Sequence, residues 1–68
     1  MKLTARETQI LKLMAAGHGS EAIGDKLQLS KRTVETHLLN ARKKIGALNT
    51  AHALVLALKQ KIIALEDL

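Results

Sequence analysis

Apolar residues recur at helical spacing in four stretches of the chain, and residues that start or stop helices separate them. Leu3, Ile10, Leu11 and Met14 mark the first stretch. It opens with Thr4-Ala5-Arg6-Glu7, a capping-box pattern in which Thr4 and Glu7 satisfy each other's backbone donors. Gly17 supplies a left-handed stop, which predicts a helix over 5–16. Ser20 reads as the next N-cap, with Glu21 favourably placed in the first turn, and Ala22, Ile23 and Leu27 as the buried edge of a short helix over 21–27. Ser30 caps a third helix, 31–45, that stops at Gly46; Asn49 caps a fourth, 50–65. The predicted fold is all-α: a four-helix bundle of low contact order in a single domain, 1–68.

A short helix joined to a longer one by two or three residues is the signature of a helix-turn-helix. The turn here, around Gln28 and Leu29, lacks the glycine often found in that motif.

At about 100° per residue, Val34, Leu38, Ala41 and Ile45 share one stripe of the third helix and form its core face. The opposite stripe holds Arg32, Thr36, Leu39 and Lys43, flanked by Glu35 and Asn40, with Lys31 and Arg42 further round. A merely solvated face carries opposite charges four residues apart. Residues 31–44 instead carry Lys31, Arg32, Arg42, Lys43 and Lys44 against Glu35 alone. These cations cluster at the two ends, where a helix lying in a DNA groove meets the flanking phosphates. Base edges would meet the middle of the face. There Glu35 can accept from a cytosine amino group, Asn40 can pair with adenine, and Leu39 can lie against a thymine methyl.

His37 borders the core stripe and is expected to be half-buried and bonded to nearby backbone. Glu7 has two readings, completion of the capping box or contact with a helix-three cation such as Arg42 or Lys44.

The fourth helix is too apolar for one buried face. Ala51, Leu54, Val55, Leu58, Ile62 and Leu65 are predicted as its core stripe. Leu56 and Ile63, a heptad apart, form a second stripe with His52 and Lys59 nearby, which suggests a small two-fold dimer interface. The plainer alternative is a pair of scattered exposed apolar residues.

Composition narrows the function. Sixty-eight residues suffice for one small domain with a marginal core. With no cysteine there are no disulfides or thiolate zinc sites, and His18, His37 and His52 have no spacing that places two on one helical turn. No metal or cofactor is expected. The formal charge of +5 and pI near 10 suit a polyanionic partner. Membrane is the weaker partner: the longest uncharged apolar run, 50–58, falls far short of the ~20 residues of a span. No signal core opens the chain, so the cytoplasm is the default compartment. The absence of aromatic residues disfavours single-strand and RNA modules, which stack bases on such rings, and leaves duplex DNA. No nucleophile–base pair or paired carboxylates can be assembled, so no catalytic residue is expected.

Leu3-Thr4-Ala5-Arg6-Glu7, Gly17, Ile23-Gly24, Leu29-Ser30, Thr33-Val34, His37-Leu38, Asn40-Ala41, Lys44-Ile45-Gly46 and Ala51 together resemble the LuxR/GerE-type helix-turn-helix domain of bacterial transcription regulators, over about residues 3–63. The string at 40–54, NARKKIGALNTAHAL, is closest in character to the quorum-sensing members. The resemblance implies a promoter-binding domain acting as a homodimer on a pseudo-palindromic site, with helix 31–45 in the major groove. It further implies base contacts from Glu35, Thr36 and Leu39, and phosphate contacts near Ser30, Arg32, Thr33 and Lys43. Relatives are often basic at the base-reading positions, so Glu35 and Leu39 depart from the family pattern. RNA polymerase is a further partner of such regulators. Members commonly carry an N-terminal sensory domain, and these residues hold none. The chain thus reads as a short standalone regulator or as the C-terminal domain of a longer one.

Two other functions compete. A sigma-factor region-4-like promoter-binding domain has a similar third helix, but His37 and the fourth helix after Gly46-Ala47-Leu48-Asn49 argue against it. A helical protein-interaction module without DNA binding leaves the cation placement on helix three without a reason.

Overall fold

A computed structural model describes residues 2–68. Four α-helices follow in order: α1 Ala5–Ala15, α2 Ser20–Leu27, α3 Lys31–Ile45 and α4 Thr50–Lys59; a single 3₁₀ turn, Leu65–Asp67, closes the chain. α3 is the central element, packed against α1, α2 and α4, and the closing turn rests on α1. Ile10, Leu11, Ile23, Val34, Leu38, Ala41, Ala57 and Ile63 make one contiguous core. The stripe Val34, Leu38, Ala41 is buried as its spacing requires, while Ile45 at the helix end is half-buried.

The caps explain where the helices begin. Thr4 Oγ1 accepts from the Glu7 backbone N–H at 3.1 Å, and Glu7 Oε1 accepts from the Thr4 N–H at 2.8 Å. Ser30 Oγ accepts from the Thr33 N–H at 3.0 Å, and Asn49 Oδ1 from the His52 N–H at 2.8 Å. α2 differs from expectation. Gly19 is its N-cap and Ser20 its first helical residue, with no side chain accepting from the first turn.

All four helices end alike. A residue with positive φ follows the last turn, and an N–H five residues on donates to a carbonyl of that turn: His18 to Leu13 (3.1 Å), Leu29 to Gly24 (2.8 Å), Ala47 to Arg42 (2.9 Å) and Ile62 to Ala57 (2.8 Å). The left-handed residues are Gly17 (φ 102°), Gln28 (φ 58°), Gly46 (φ 74°) and Lys61 (φ 59°).

Lys61 corrects the fourth helix. It ends at Lys59, not at 65, because the chain reverses there and returns Ile63 to the core. The predicted core stripe is displaced as well. Ala53 and Ala57 are buried, Leu54, Leu58 and Ile62 pack partly against the core, and Ala51, Val55 and Leu65 are exposed. Ala41 of α3 and Ala57 of α4 are both fully buried in the core, with Leu54 and Leu58 partly buried against it.

Candidate nucleic-acid interface

α3 presents its polar face to solvent along its whole length of 15 residues, about 22 Å at 1.5 Å per residue. Ser30, Lys31, Arg32, Thr33, Glu35, Thr36, Leu39, Asn40 and Lys43 are all exposed. Each residue of the expected DNA face is thus open to solvent, with Arg32, Thr36, Leu39 and Lys43 opposite the core stripe and the others at its flanks.

At the N-terminal end of this face the cap orders the side chains. Ser30 Oγ, besides capping Thr33, donates to Thr33 Oγ1 at 2.8 Å, so the two hydroxyls are fixed relative to each other. The remaining first-turn N–H groups, at Lys31 and Arg32, have no intrahelical acceptor and carry the positive end of the helix dipole beside two cationic side chains. In the middle, Thr36 Oγ1 donates to the Arg32 carbonyl at 3.0 Å. Its hydroxyl donor is thus occupied, and Thr36 meets a ligand through its methyl group or as an acceptor.

The cations of α3 do not share one role. Lys31, Arg32 and Lys43 are exposed, and Arg42 is half-buried. Lys44 Nζ lies 2.8 Å from Glu7 Oε1, in an ion pair whose side chains are 18% and 4% exposed. Both readings of Glu7 therefore hold at once, with Lys44 as the cation. Burial pushes the Glu7 carboxyl up, but the Lys44 ammonium and the hydrogen bonds with Thr4 outweigh it and hold the carboxyl below its ordinary value. The pair ties the last turn of α3 to the first turn of α1, which fixes the tilt of the exposed face. His37 is half-buried as expected, but no hydrogen bond from its ring is formed among the described residues.

A residue that the composition of α3 does not point to sets the turn before it. Gly24 is buried, and a Cβ there would stand 2.5 Å from the Leu29 carbonyl oxygen. α2 and the chain leading into α3 touch backbone to backbone at this point. A glycine inside a short helix is the available signal, since it costs about 1 kcal/mol against alanine unless a close approach needs it.

The expected dimer residues do not form one surface. His52 is half-buried, and its Nδ1 accepts from the Leu48 N–H at 3.0 Å. Leu56 is half-buried and Lys59 exposed. Ile63 is 3% exposed and belongs to the core, because the reversal at Lys61 turns it inward. It is not available to a partner. The exposed apolar residues along this element are Leu48 (81%), Ala51 and Val55 (54%).

An exposed polar helix with cationic ends thus completes a tight helix-turn-helix, and the sequence matches the family described as "Bacterial regulatory proteins, luxR family" over residues 1–57. The chain belongs to this family. It is 40% identical over 62 residues to the transcriptional activator protein BjaR1 of Bradyrhizobium diazoefficiens, covering 91% of this chain and 26% of the relative. It is 38% identical over 61 residues to the oxygen regulatory protein NreC of Staphylococcus aureus, covering 90% and 28%. The uncharacterized response regulatory protein YgeK of Escherichia coli is 52% identical over 44 residues, covering 65% and 30%. The chain thus spans less than a third of the length of these relatives. No solved structure matches it with significance. This LuxR-family chain is a DNA-binding domain of a transcription regulator, and the family is not one of enzymes. No helix among the described residues is long and apolar enough to cross a membrane.

Proposed function

We propose that this LuxR-family domain binds specific duplex sequences in bacterial promoters by laying α3 in the major groove. The observation that carries the reading is the exposure of all nine residues named above, at the start of α3 and along the side of it that its buried stripe leaves open. Lys31 and Arg32 at one end and Lys43 at the other meet backbone phosphates, with Ser30 and Thr33 beside the first pair. Glu35, Thr36, Leu39 and Asn40 meet base edges between them. Glu35 favours a cytosine amino group and Leu39 a thymine methyl, so the preferred site differs from that of relatives with cations at these positions.

The proposed assembly is a two-fold dimer through α4, with Leu48, Ala51, Val55 and Lys59 at the seam in place of Leu56 and Ile63. Ala51, Val55 and Lys59 follow one another at four-residue steps on one exposed face of α4, and the exposed Leu48 lies just before its cap. The domain measures 28 × 24 × 19 Å. A two-fold pair of such domains would read two half-sites, which in helix-turn-helix dimers lie one helical turn apart, ~34 Å.

An N-terminal sensory domain, contact with RNA polymerase and a cytoplasmic location belong to the same proposal. The short span of the chain against its relatives supports a further domain, while the polymerase contact and the location rest on membership of the family. The quorum-sensing placement rests on the string at 40–54 alone.

In vitro selection of duplexes from a random pool tests the reading. It should enrich a pseudo-palindrome bound with strong salt dependence. Failure to enrich any motif, together with no salt-dependent duplex affinity, would overturn it.

A further inference from the structure

Ser20, Glu35, Leu39, Arg42 and Thr50 line a small groove of about 230 Å³ beside the reading face. Arg42 is its one cationic residue. Its side chain is half-buried, and its Nε is shielded from solvent with no hydrogen-bond partner. Buried donors in folded proteins are almost always paired, so the partnerless Nε shows that no acceptor of the described residues engages this guanidinium, and its less shielded terminal nitrogens are left to meet a ligand. No carboxylate among the described residues forms an ion pair with Arg42. Glu35 is two turns away along α3, about 10 Å at 1.5 Å per residue.

The other polar residues of the groove point to the sign of the ligand. Ser20 is the first residue of α2, whose first turn has no side-chain cap, and Thr50 is the first residue of α4. Two helix N-terminal ends, each with partial positive charge, therefore border the groove that holds the Arg42 guanidinium. Leu39 and Glu35 belong to both the groove and the base-reading face. A duplex seated on α3 thus brings its own backbone to the groove's edge.

We infer that Arg42 is a further DNA-contacting residue, holding one backbone phosphodiester in this groove through charge-assisted hydrogen bonds. The inference rests on the proposed seating of α3 in the major groove. It also gives Glu35 a counter-charge on the same side of the helix, which makes a carboxylate tolerable in the middle of a face set against a polyanion.

The test compares wild-type protein with Arg42→Gln and Arg42→Lys on a selected duplex across a salt series, with thermal unfolding as the control for folding. Arg42→Gln should lower the salt slope by about one phosphate, so that its deficit against wild type shrinks ~3–4-fold between 50 and 200 mM salt. Arg42→Lys, which keeps the charge, should retain the wild-type slope. A methylphosphonate scan of the duplex supplies a second readout. Several positions should weaken wild-type binding, and one of them should be silent for Arg42→Gln while the others are not. A wild-type slope in Arg42→Gln, even with a lowered unfolding temperature, would reduce Arg42 to packing and overturn the inference. Absence of any salt-dependent binding by wild type would instead overturn the seating of α3 on which it rests.

Discussion

Lys44 Nζ donates to Glu7 Oε1 at 2.8 Å across 37 residues of chain, on the same carboxylate oxygen that accepts from the Thr4 N–H. One buried carboxylate therefore starts α1 and anchors the end of α3. Its carboxyl is held below the ordinary glutamate value of 4.5, so in the unfolded chain it takes up its proton first as pH falls. The stabilisation is complete above that ordinary value and is lost as pH falls through the folded-state value. Glu7→Gln should cost about 1.5–3 kcal/mol at neutral pH, the range for a hydrogen bond to a charged group. It should also flatten the acid limb of stability. Denaturant unfolding at a series of pH values checks both effects.

Gly24 has no room for a side chain. The Leu29 carbonyl oxygen at 2.5 Å is backbone and cannot swing aside, so Gly24→Ala must open the turn between α2 and α3. A destabilisation of about 1–3 kcal/mol is expected, as for overpacking elsewhere. DNA affinity should fall with it, because the approach of α2 to α3 changes. Unfolding and duplex titration on the same variant would show whether the two losses travel together.

Lys61 ends α4 in the left-handed region, at φ 59°. A residue with a Cβ is strained there by about 1 kcal/mol, and glycine is not. Lys61→Gly should raise stability by up to several tenths of a kcal/mol, once the entropy of the unfolded chain, about 0.4–1 kcal/mol, is subtracted from the relieved strain. Calorimetry gives the answer, and an unfolding temperature below wild type would contradict the strain argument.

The two kinds of contact on α3 should separate in binding data. Lys43→Ala should weaken binding to all duplexes alike and reduce the salt slope by about one unit. Leu39→Ala should instead shift sequence preference, at about 1–3 kcal/mol for one base position. Titration against a panel of single-base variants of the selected site distinguishes them.

For α4, Val55→Glu should abolish self-association while leaving the fold intact, since Val55 is 54% exposed. Ile63→Glu should unfold the domain, since Ile63 is 3% exposed. Sedimentation and circular dichroism on the two variants would reverse this expectation if α4 did not end at Lys59.

Local chemistry makes most of the helices legible in the amino-acid sequence. Ser30 and Asn49 are short side chains that cap helices, and both do so here. Gly17 and Gly46 favour the left-handed conformation that stops a helix, and both adopt it. Those cues bound α3 at 31 and 45, and its period of 3.6 separates the buried stripe from the exposed face. Where the stop falls on a residue with a side chain, that signal vanishes. Gln28 is found only because Ser30 follows so closely, and Lys61 is missed altogether. Helical periodicity then runs on past Lys59 and places Ile63 outside a core that contains it.

Four helices, most of their caps and a cationic reading face on α3 are written in the sequence, because each depends on residues within a turn or two of one another. Contacts between distant segments settle the rest. They make Lys44, not Arg42, the partner of Glu7, turn Ala53 and Ala57 inward on a helix apolar all round, and fold Ile63 back into the core. Spacing along one helix cannot choose among several apolar faces or several cations, because that choice is made by which distant surface each one meets.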